Sequence, residues 1–519
     1  MQKNSHSRPK WARVALAALS VAGLIGLLAA SGCINGETIE APTQSTADDS
    51  TAPRPAAAQN LKAAVPAAGD VLIAGGADAS NRSLASAEFF DPSSGQFFLT
   101  GSAISSRAEA AATALSASQV LLDGGFSGRA SIKNFSLVLE GSALNSAEIF
   151  DETTGAFSLA GKMATPRIGF TATALNNSKI LLVGGLDSQN NVLDTAELYD
   201  PAARKFTAVA NTMSDRRTFH TATLLLTGKV LVAGGATNLS GDTTSSADIY
   251  DPATNSFTPA TFPMDHQRAA HTATLFPSGP LAGKVLVAGG ATNLSGDTTS
   301  SADIYDPATN SFTPATFPMD HQRAAHTATL FPSGPLAGKV LITGGVGGSS
   351  FFFKDSSAEL YDPASQEFTL LSSFMNEPRS LHTATLLDDG TVLLAGGFSG
   401  SVAVSSGVLS GASGLTSNSA ETFDPNTQDF TCVGGFNSET TRCNQSMTMA
   451  RAAHTATLLA TGPAPHRVLI AGGIGAVDPA AHGMELSSAE LFNPAAGGSF
   501  SATGAMSTAR ALHTATLLR

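Results

Sequence analysis

Eight times between about residue 70 and the last residue, a short apolar run stops at a pair of glycines. The pairs are Gly75-Gly76, Gly124-Gly125, Gly184-Gly185, Gly234-Gly235, Gly289-Gly290, Gly344-Gly345, Gly396-Gly397 and Gly472-Gly473, and the runs before them read VLIAGG, VLLDGG, ILLVGG, VLVAGG twice, VLITGG, VLLAGG and VLIAGG. A period of about fifty residues restricts the chain to a solenoid or a propeller, because such a unit cannot bury its apolar face without its neighbours. A continuous apolar run of four or five residues between turn formers reads as a strand buried on both faces. The glycines supply positive φ and allow another backbone to come close at the strand end.

The rest of each unit follows a fixed grammar. After the glycines comes a loop, then an alternating strand: SAEFFDP, SAEIFDE, TAELYDP, SADIYDP twice, SAELYDP, SAETFDP and SAELFNP. The Asp-Pro turn stops it, since proline has no N–H to donate and aspartate bonds nearby amides. A fourth strand carries Phe97, Phe157, Phe206, Phe257, Phe312, Phe368, Phe430 or Phe500. The remaining strand, HTATLL-like, begins at 220, 271, 326, 382, 454 and 513, with degenerate forms at 110–115 and 170–175. An arginine precedes each by three residues: Arg107, Arg167, Arg217, Arg268, Arg323, Arg379, Arg451 and Arg510.

The array opens at Asp70 without an HTATLL strand and closes on one at His513 with nothing after it. The last strand is therefore expected to complete the first unit, which requires a closed ring. Residues 228–286 are identical to residues 283–341, a shift of 55, whereas other neighbouring units diverge. The count predicts an all-β propeller of eight four-stranded blades, or seven if the identical tandem copy is an artefact.

Gly-Gly after a buried strand, Asp-Pro after a second and an aromatic on the next resemble the kelch repeat, in the bacterial form of galactose-oxidase-like central domains. The likeness covers residues 67–519 and implies a kelch-type β-propeller whose ring is closed by the C-terminal strand pairing with the N-terminal blade. Kelch repeats usually carry Trp on the outer strand, where this chain has Phe; its sole Trp is Trp11.

The first residues read as an export signal. Lys3, Arg8, Lys10 and Arg13 precede an apolar run from Val14 to Ala30, and small residues lead to Cys33. Ala30-Ser31-Gly32-Cys33 resembles the bacterial lipoprotein box, which implies a signal peptide at 1–32, lipid on Cys33 and a tether at 33–66. The expected location is the cell envelope, at the outer membrane if the cell is Gram-negative, or outside the cell. Removal of 1–32 takes four positive charges and shifts the net charge from −12 to −16, which disfavours nucleic acid. Of three cysteines, Cys432 and Cys443 remain, close together in an exported chain, and are expected to form a disulfide.

The repeated Arg-x-x-His is the most conspicuous candidate constellation. Six copies carry histidine, in the pairs Arg217/His220, Arg268/His271, Arg323/His326, Arg379/His382, Arg451/His454 and Arg510/His513. A ring of imidazoles at a channel suits a metal or an anion. A residue repeated in every blade more often serves each blade, so these, with Gly234, Gly235, Gly289 and Gly290, are expected to be structural, the arginines binding carbonyls or the acid of the third strand. Copper-radical oxidation needs a tyrosine beside a cysteine, and Tyr199, Tyr250, Tyr305 and Tyr361 all occupy the repeat position before Asp-Pro. The insertions offer Glu140, Asp355, Glu439, Asp478 and Glu485, unpaired by sequence where a glycosidase needs two facing carboxylates. No nucleophile or arginine cluster is read as breaking the repeat rule.

The expectation is therefore a monomeric, non-enzymatic scaffold without cofactor, touching membrane only through its lipid. It would recognise a protein or a glycan through the face bearing the long insertions, 126–145, 346–357, 398–419, 431–449 and 474–487. The alternative is a carbohydrate-active enzyme with its site at the channel mouth.

Overall fold

A computed structural model describes residues 65–519, with breaks at 134–135, 295, 348–352, 400, 406–407, 414–415, 440–441, 445, 460–465 and 476–484. The expected signal segment, Cys33 and nearly all of the tether lie outside the described residues. Each repeat forms one four-stranded antiparallel sheet, and there are eight. We number these blades 1 to 8 from the one containing Val71–Ala74. Blade 5 shows the order: Thr272–Leu275, Val285–Ala288, Ala302–Asp306 and Ser311–Pro314, from the axis outward.

Blade 1 is the split one. Its innermost strand is Thr514–Leu517, antiparallel to Val71–Ala74 with Val71 opposite Leu517 and Ala74 opposite Thr514. The Gly69 N–H donates to the Leu518 carbonyl at 3.0 Å, and the Leu518 N–H to the Asp70 carbonyl at 2.9 Å. The innermost strands of successive blades adjoin one another around the axis. The identical copies supply the second, third and fourth strands of blades 4 and 5, with matching strand limits and burial, and the ring has eight blades.

The core lies between blades. Leu181, Val183, Leu198 and Met213 of blade 3 and its exit pack against Val230, Val232, Tyr250 and Phe257 of blade 4. Because a blade covers each of its faces, the second strand is buried at every position in six blades, Val285–Ala288 for example, and only its first residue, Gln119 or Arg467, is partly exposed in blades 2 and 8. That explains its unbroken apolar sequence. The outer-strand Phe packs on the aromatic before Asp-Pro, Tyr305 and Phe312 having ring centroids 5.1 Å apart. Seven of the ten methionines share one buried position, four residues before the repeated arginine: Met163, Met213, Met264, Met319, Met375, Met447 and Met506. Blade 2 has Ala103 there.

Each repeated arginine is fully buried and holds its own blade together at the Gly-Gly end. Arg268 donates through Nη1 to the carbonyls of Gly289 at 2.8 Å and Ser301 at 2.9 Å, and through Nη2 to Asp303 at 2.6 Å. The same bond set recurs at Arg107–Glu148, Arg167–Glu197, Arg217–Asp248, Arg323–Glu359, Arg379–Glu421, Arg451–Glu490 and Arg510–Glu88. Removing one partner of such a pair strands a buried charge, at a cost of about 3–5 kcal/mol.

The arginine's own carbonyl links neighbouring blades. It accepts from the second glycine of the preceding blade, Gly235 to Arg268 and Gly290 to Arg323 both at 2.8 Å. A Cβ on Gly234 would sit 2.5 Å from the Arg268 carbonyl oxygen, and one on Gly289 the same distance from that of Arg323. Gly234 and Gly289 also have φ of +62°. Both the close approach and the left-handed backbone demand glycine at this point.

Candidate functional site

The Gly-Gly loops and the starts of the innermost strands share one face of the ring. Three insertions rise there as two-stranded hairpins: Phe126–Lys133 with Ser136–Ala143, Val346–Gly347 with Phe353–Lys354, and Ser401–Ser405 with Val408–Ser413. A fourth, Phe436–Asn437 with Arg442–Cys443, leaves from the outer strand of blade 7, and Cys432 and Cys443 are joined there as a disulfide. Among the described residues, the opposite face carries the turns after the third strands and short connections.

At the centre of the hairpin-bearing face, the residue before each His position forms a collar: Glu109, Gly169, Phe219, Ala270, Ala325, Leu381, Ala453 and Leu512. All eight have φ between 49° and 61°. Side chains seldom accept that backbone, so its recurrence means the ring imposes it. Collar residues bond around the ring, Glu109 N–H to the Leu512 carbonyl at 3.2 Å, Ala270 to Phe219 at 3.1 Å and Ala325 to Ala270 at 3.1 Å. Seven members are apolar or glycine. Glu109 alone is ionisable, it is only partly exposed, and burial pushes its carboxyl up to about 8.

The histidines stand one step behind the collar. Each Nε2 meets a threonine hydroxyl of the preceding blade: Thr171–His220 and Thr221–His271 at 2.9 Å, Thr272–His326, Thr327–His382 and Thr383–His454 at 3.0 Å, and Thr455–His513 at 3.1 Å. Burial, and then the adjacent arginine, lowers His220, His326, His382 and His513 to about 3, and drives His271 and His454 well below the ordinary value. These are neutral rings spent on blade-to-blade bonds. Among the described residues, the one place where three donor atoms of metal-binding type converge is Glu421 with Cys432 and Cys443. Those thiols are bonded to each other, and Glu421 is held by Arg379 at 2.8 Å.

Blade 2 departs from the pattern at each of these positions. Ala110 replaces the histidine that would meet Thr514, whose hydroxyl instead donates to the Ala74 carbonyl at 3.3 Å. Ala111 replaces the threonine, opposite Phe170 in the place of a histidine. Asp123 occupies the end of the second strand, where the other blades have Ala74, Val183, Ala233, Ala288, Thr343, Ala395 and Ala471. Thr343 shows where that position points: its hydroxyl lies 2.7 Å from Thr327 Oγ1 and 3.4 Å from His382 Nε2. Asp123 is 0% exposed, and neither carboxylate oxygen finds a hydrogen-bond partner in another residue. Burial pushes it up to about 7 against the pull of Arg107.

Among the described residues, the acids of the insertions lie on separate loops, Glu140 on the blade 2 hairpin, Asp355 in blade 6, Glu439 after blade 7 and Glu485 in blade 8. Asp355 is taken by His321 at 3.1 Å and Arg323 at 3.3 Å, and Asp478 lies outside the described residues. Glu485 is buried at the mouth in blade 8, pushed up to about 7 by burial and, more weakly, by Asp78. Glu109 and Asp123 are breaks in the repeat that the sequence reading passed over. The signal was present in register: E-A-A at 109–111 against A-H-T, and VLLDGG against VLVAGG.

The Attractin/LZTR1 beta-propeller family matches residues 180–480, more than half of the chain. No curated protein matches it. Among solved structures, a fungal alcohol oxidase of the AA5 family in complex with copper is similar at 16% identity, over 86% of this chain and 90% of its own, with a TM-score of 0.46. YjhT is similar at 16% identity over 66% of this chain and 99% of its own, with a TM-score of 0.41. The family match joins the eight-fold repeat and the ring of four-stranded sheets, and the chain belongs to the Attractin/LZTR1 β-propeller family, as a kelch-type propeller of eight blades.

Proposed function

We propose that this chain is a non-enzymatic interaction scaffold, lipid-anchored at Cys33 in the cell envelope, that recognises a protein or glycan through its hairpin-bearing face. Kelch-type propellers are typically protein-interaction scaffolds, and binding on such frames is carried by loops set on rigid strands. The observation that carries the reading is the collar, seven apolar or glycine positions and one acid, Glu109, ringed by the hairpins. A ligand that fits it presents apolar surface around one hydrogen-bond donor or cation. Capture measured on a glycan array and in pull-downs should be lost with Glu109→Ala or removal of the 126–143 hairpin, and kept when residues 277–283 on the opposite face are replaced. Equal loss from both faces would overturn the assignment.

The second reading, a carbohydrate-active enzyme at the channel mouth, rests on the same residue, because a carboxyl that keeps its proton near neutral pH is suited to general-acid work. Turnover of a glycoside that disappears with Glu109→Gln would replace the scaffold reading with this one.

A further inference from the structure

The seam between blades 1 and 2 keeps one half of a pair whose other half is missing. At six seams a threonine hydroxyl of one blade meets a histidine Nε2 of the next. At the seam of blades 2 and 3, Phe170 stands where that histidine would be. Blade 1 still carries the threonine, Thr514, but blade 2 answers it with Ala110. With no ring nitrogen to meet, the Thr514 hydroxyl donates to the Ala74 carbonyl of its own blade at 3.3 Å.

The backbone has not closed over the missing ring. The Gly76 N–H donates to the Arg107 carbonyl at 2.8 Å, the same bond and length as Gly235 to Arg268. A Cβ on Gly75 would lie 2.4 Å from that carbonyl oxygen, against 2.5 Å for Gly234 and Arg268. The two seams are alike in spacing and differ in what fills them. The Cβ site over Gly234 meets the His271 ring at 2.8 Å, and that over Gly124 meets the Phe170 ring at 2.5 Å. Over Gly75 the three nearest atoms all belong to Arg107, the third at 3.6 Å. The six histidines are 6 or 7% exposed, whereas Ala110 is partly exposed. A ring's volume is thus left out of an otherwise close-packed seam, and the gap is open to solvent. Glu109, the one acid of the collar, immediately precedes Ala110.

We propose that this gap receives an imidazole ring from outside the chain, the side chain of a histidine on a partner protein, which takes the place of the absent histidine and hydrogen-bonds Thr514. A five-membered ring suits it because six other seams hold one against the same backbone. Thr514 supplies the hydroxyl that each of those rings uses, and Glu109 offers an acceptor for the second ring nitrogen. Granted the hairpin-bearing face as the binding face, on which this site rests, the gap gives the partner one polar anchor amid the apolar collar.

The test is a methyl NMR titration of the threonine-labelled full chain with imidazole at about pH 8, where the free ring is neutral. The Thr514 methyl should shift saturably, with a Kd in the millimolar range, while the Thr221 methyl, whose partner His271 is already in place, stays unmoved. Ala110→His and Ala110→Phe, the second being the residue blade 3 carries there as Phe170, fill the gap and should abolish the shift. Pyrrole, the same ring without the acceptor nitrogen, should bind roughly five-fold more weakly, and equal binding would overturn the bond to Thr514. The peptide Gly-Gly-His-Gly-Gly should give the same shift as imidazole; its exclusion while imidazole binds would overturn delivery by a partner. No Thr514 shift, an equal Thr221 shift, or a shift undiminished in both variants would each overturn the site. None of these results depends on capture by the hairpin-bearing face, which Glu109→Ala decides separately in pull-downs.

Discussion

Blade 5 meets its successor through Thr272, whose hydroxyl lies 3.0 Å from His326 Nε2, while blade 2 meets its successor through Ala111 against Phe170, with the unpartnered Asp123 in the wall behind. Their frames are the same. Both have four strands in the same order, a buried arginine paired with the acid of the third strand, and a Gly-Gly turn against the next blade. What differs is the small set of side chains aimed across the interface. Blade 5 fills them with neutral pairs. Blade 2 has alanines at two of them, Ala110 and Ala111, and carboxyls at Glu109, partly exposed, and Asp123, fully buried. The scaffold thus tolerates loss of the threonine–histidine bond, which makes that bond an increment of stability and not a requirement of the fold.

The contrast can be broken most forcefully by pH. The six histidines titrate near 6.5 in the unfolded chain and far lower in the fold, so the unfolded state takes up protons first as pH falls. The contribution of His220, His326, His382 and His513 is intact above about 6.5 and is lost progressively towards 3, at roughly 1 kcal/mol per histidine per pH unit, and His271 and His454 act in the same direction. Urea midpoints should collapse between pH 6.5 and 5; a flat profile there would contradict buried neutral imidazoles.

Blade 2 carries the opposite sign. Asp123 is raised from 3.8 to about 7, so its folded state holds the proton that the unfolded state releases. Stability is unaffected below about 3.8, falls as pH rises from there to about 7, and is level above it. Asp123→Ala should therefore stabilise the chain at pH 8 by ~2 kcal/mol and have little benefit at pH 4, read from the same urea series. A gain independent of pH would show that packing rather than charge governs the site. The smallest expected effect restores what blade 2 lacks. Ala110→His should recreate the bond to Thr514 and add ~1 kcal/mol near neutral pH, since the Cβ site over Gly75 meets only Arg107 where the seven other first glycines of the pairs meet a histidine or Phe170 ring. An imidazole Nε2 without a threonine partner, detected by its titration in NMR, would show that this interface has closed up.

Much of the frame was legible in the chain. Period-two and apolar-run patterns placed the strands, and the order of partial units placed the closure, because each blade repeats one local grammar. The Cys432–Cys443 bridge and the arginine partners followed from neighbours within one unit. Blade 2's site was harder to see. Ala110, Ala111 and Asp123 are unremarkable residues until they are set beside His271, Thr272 and Ala288 in register. The shared methionine position was likewise visible only as a buried row, since Met213 or Met264 alone resembles any apolar residue.

The sequence by itself determined that eight like units close on one another, for hydrogen-bonded strands and turns are set by residues a few positions apart. The tertiary structure decided which histidine nitrogen meets which threonine, and that Glu109 stands alone in an apolar collar. Those contacts join residues about fifty or more positions apart, or from opposite ends of the array. Their energies depend on burial and on the neighbouring blade's charge, which no single repeat encodes.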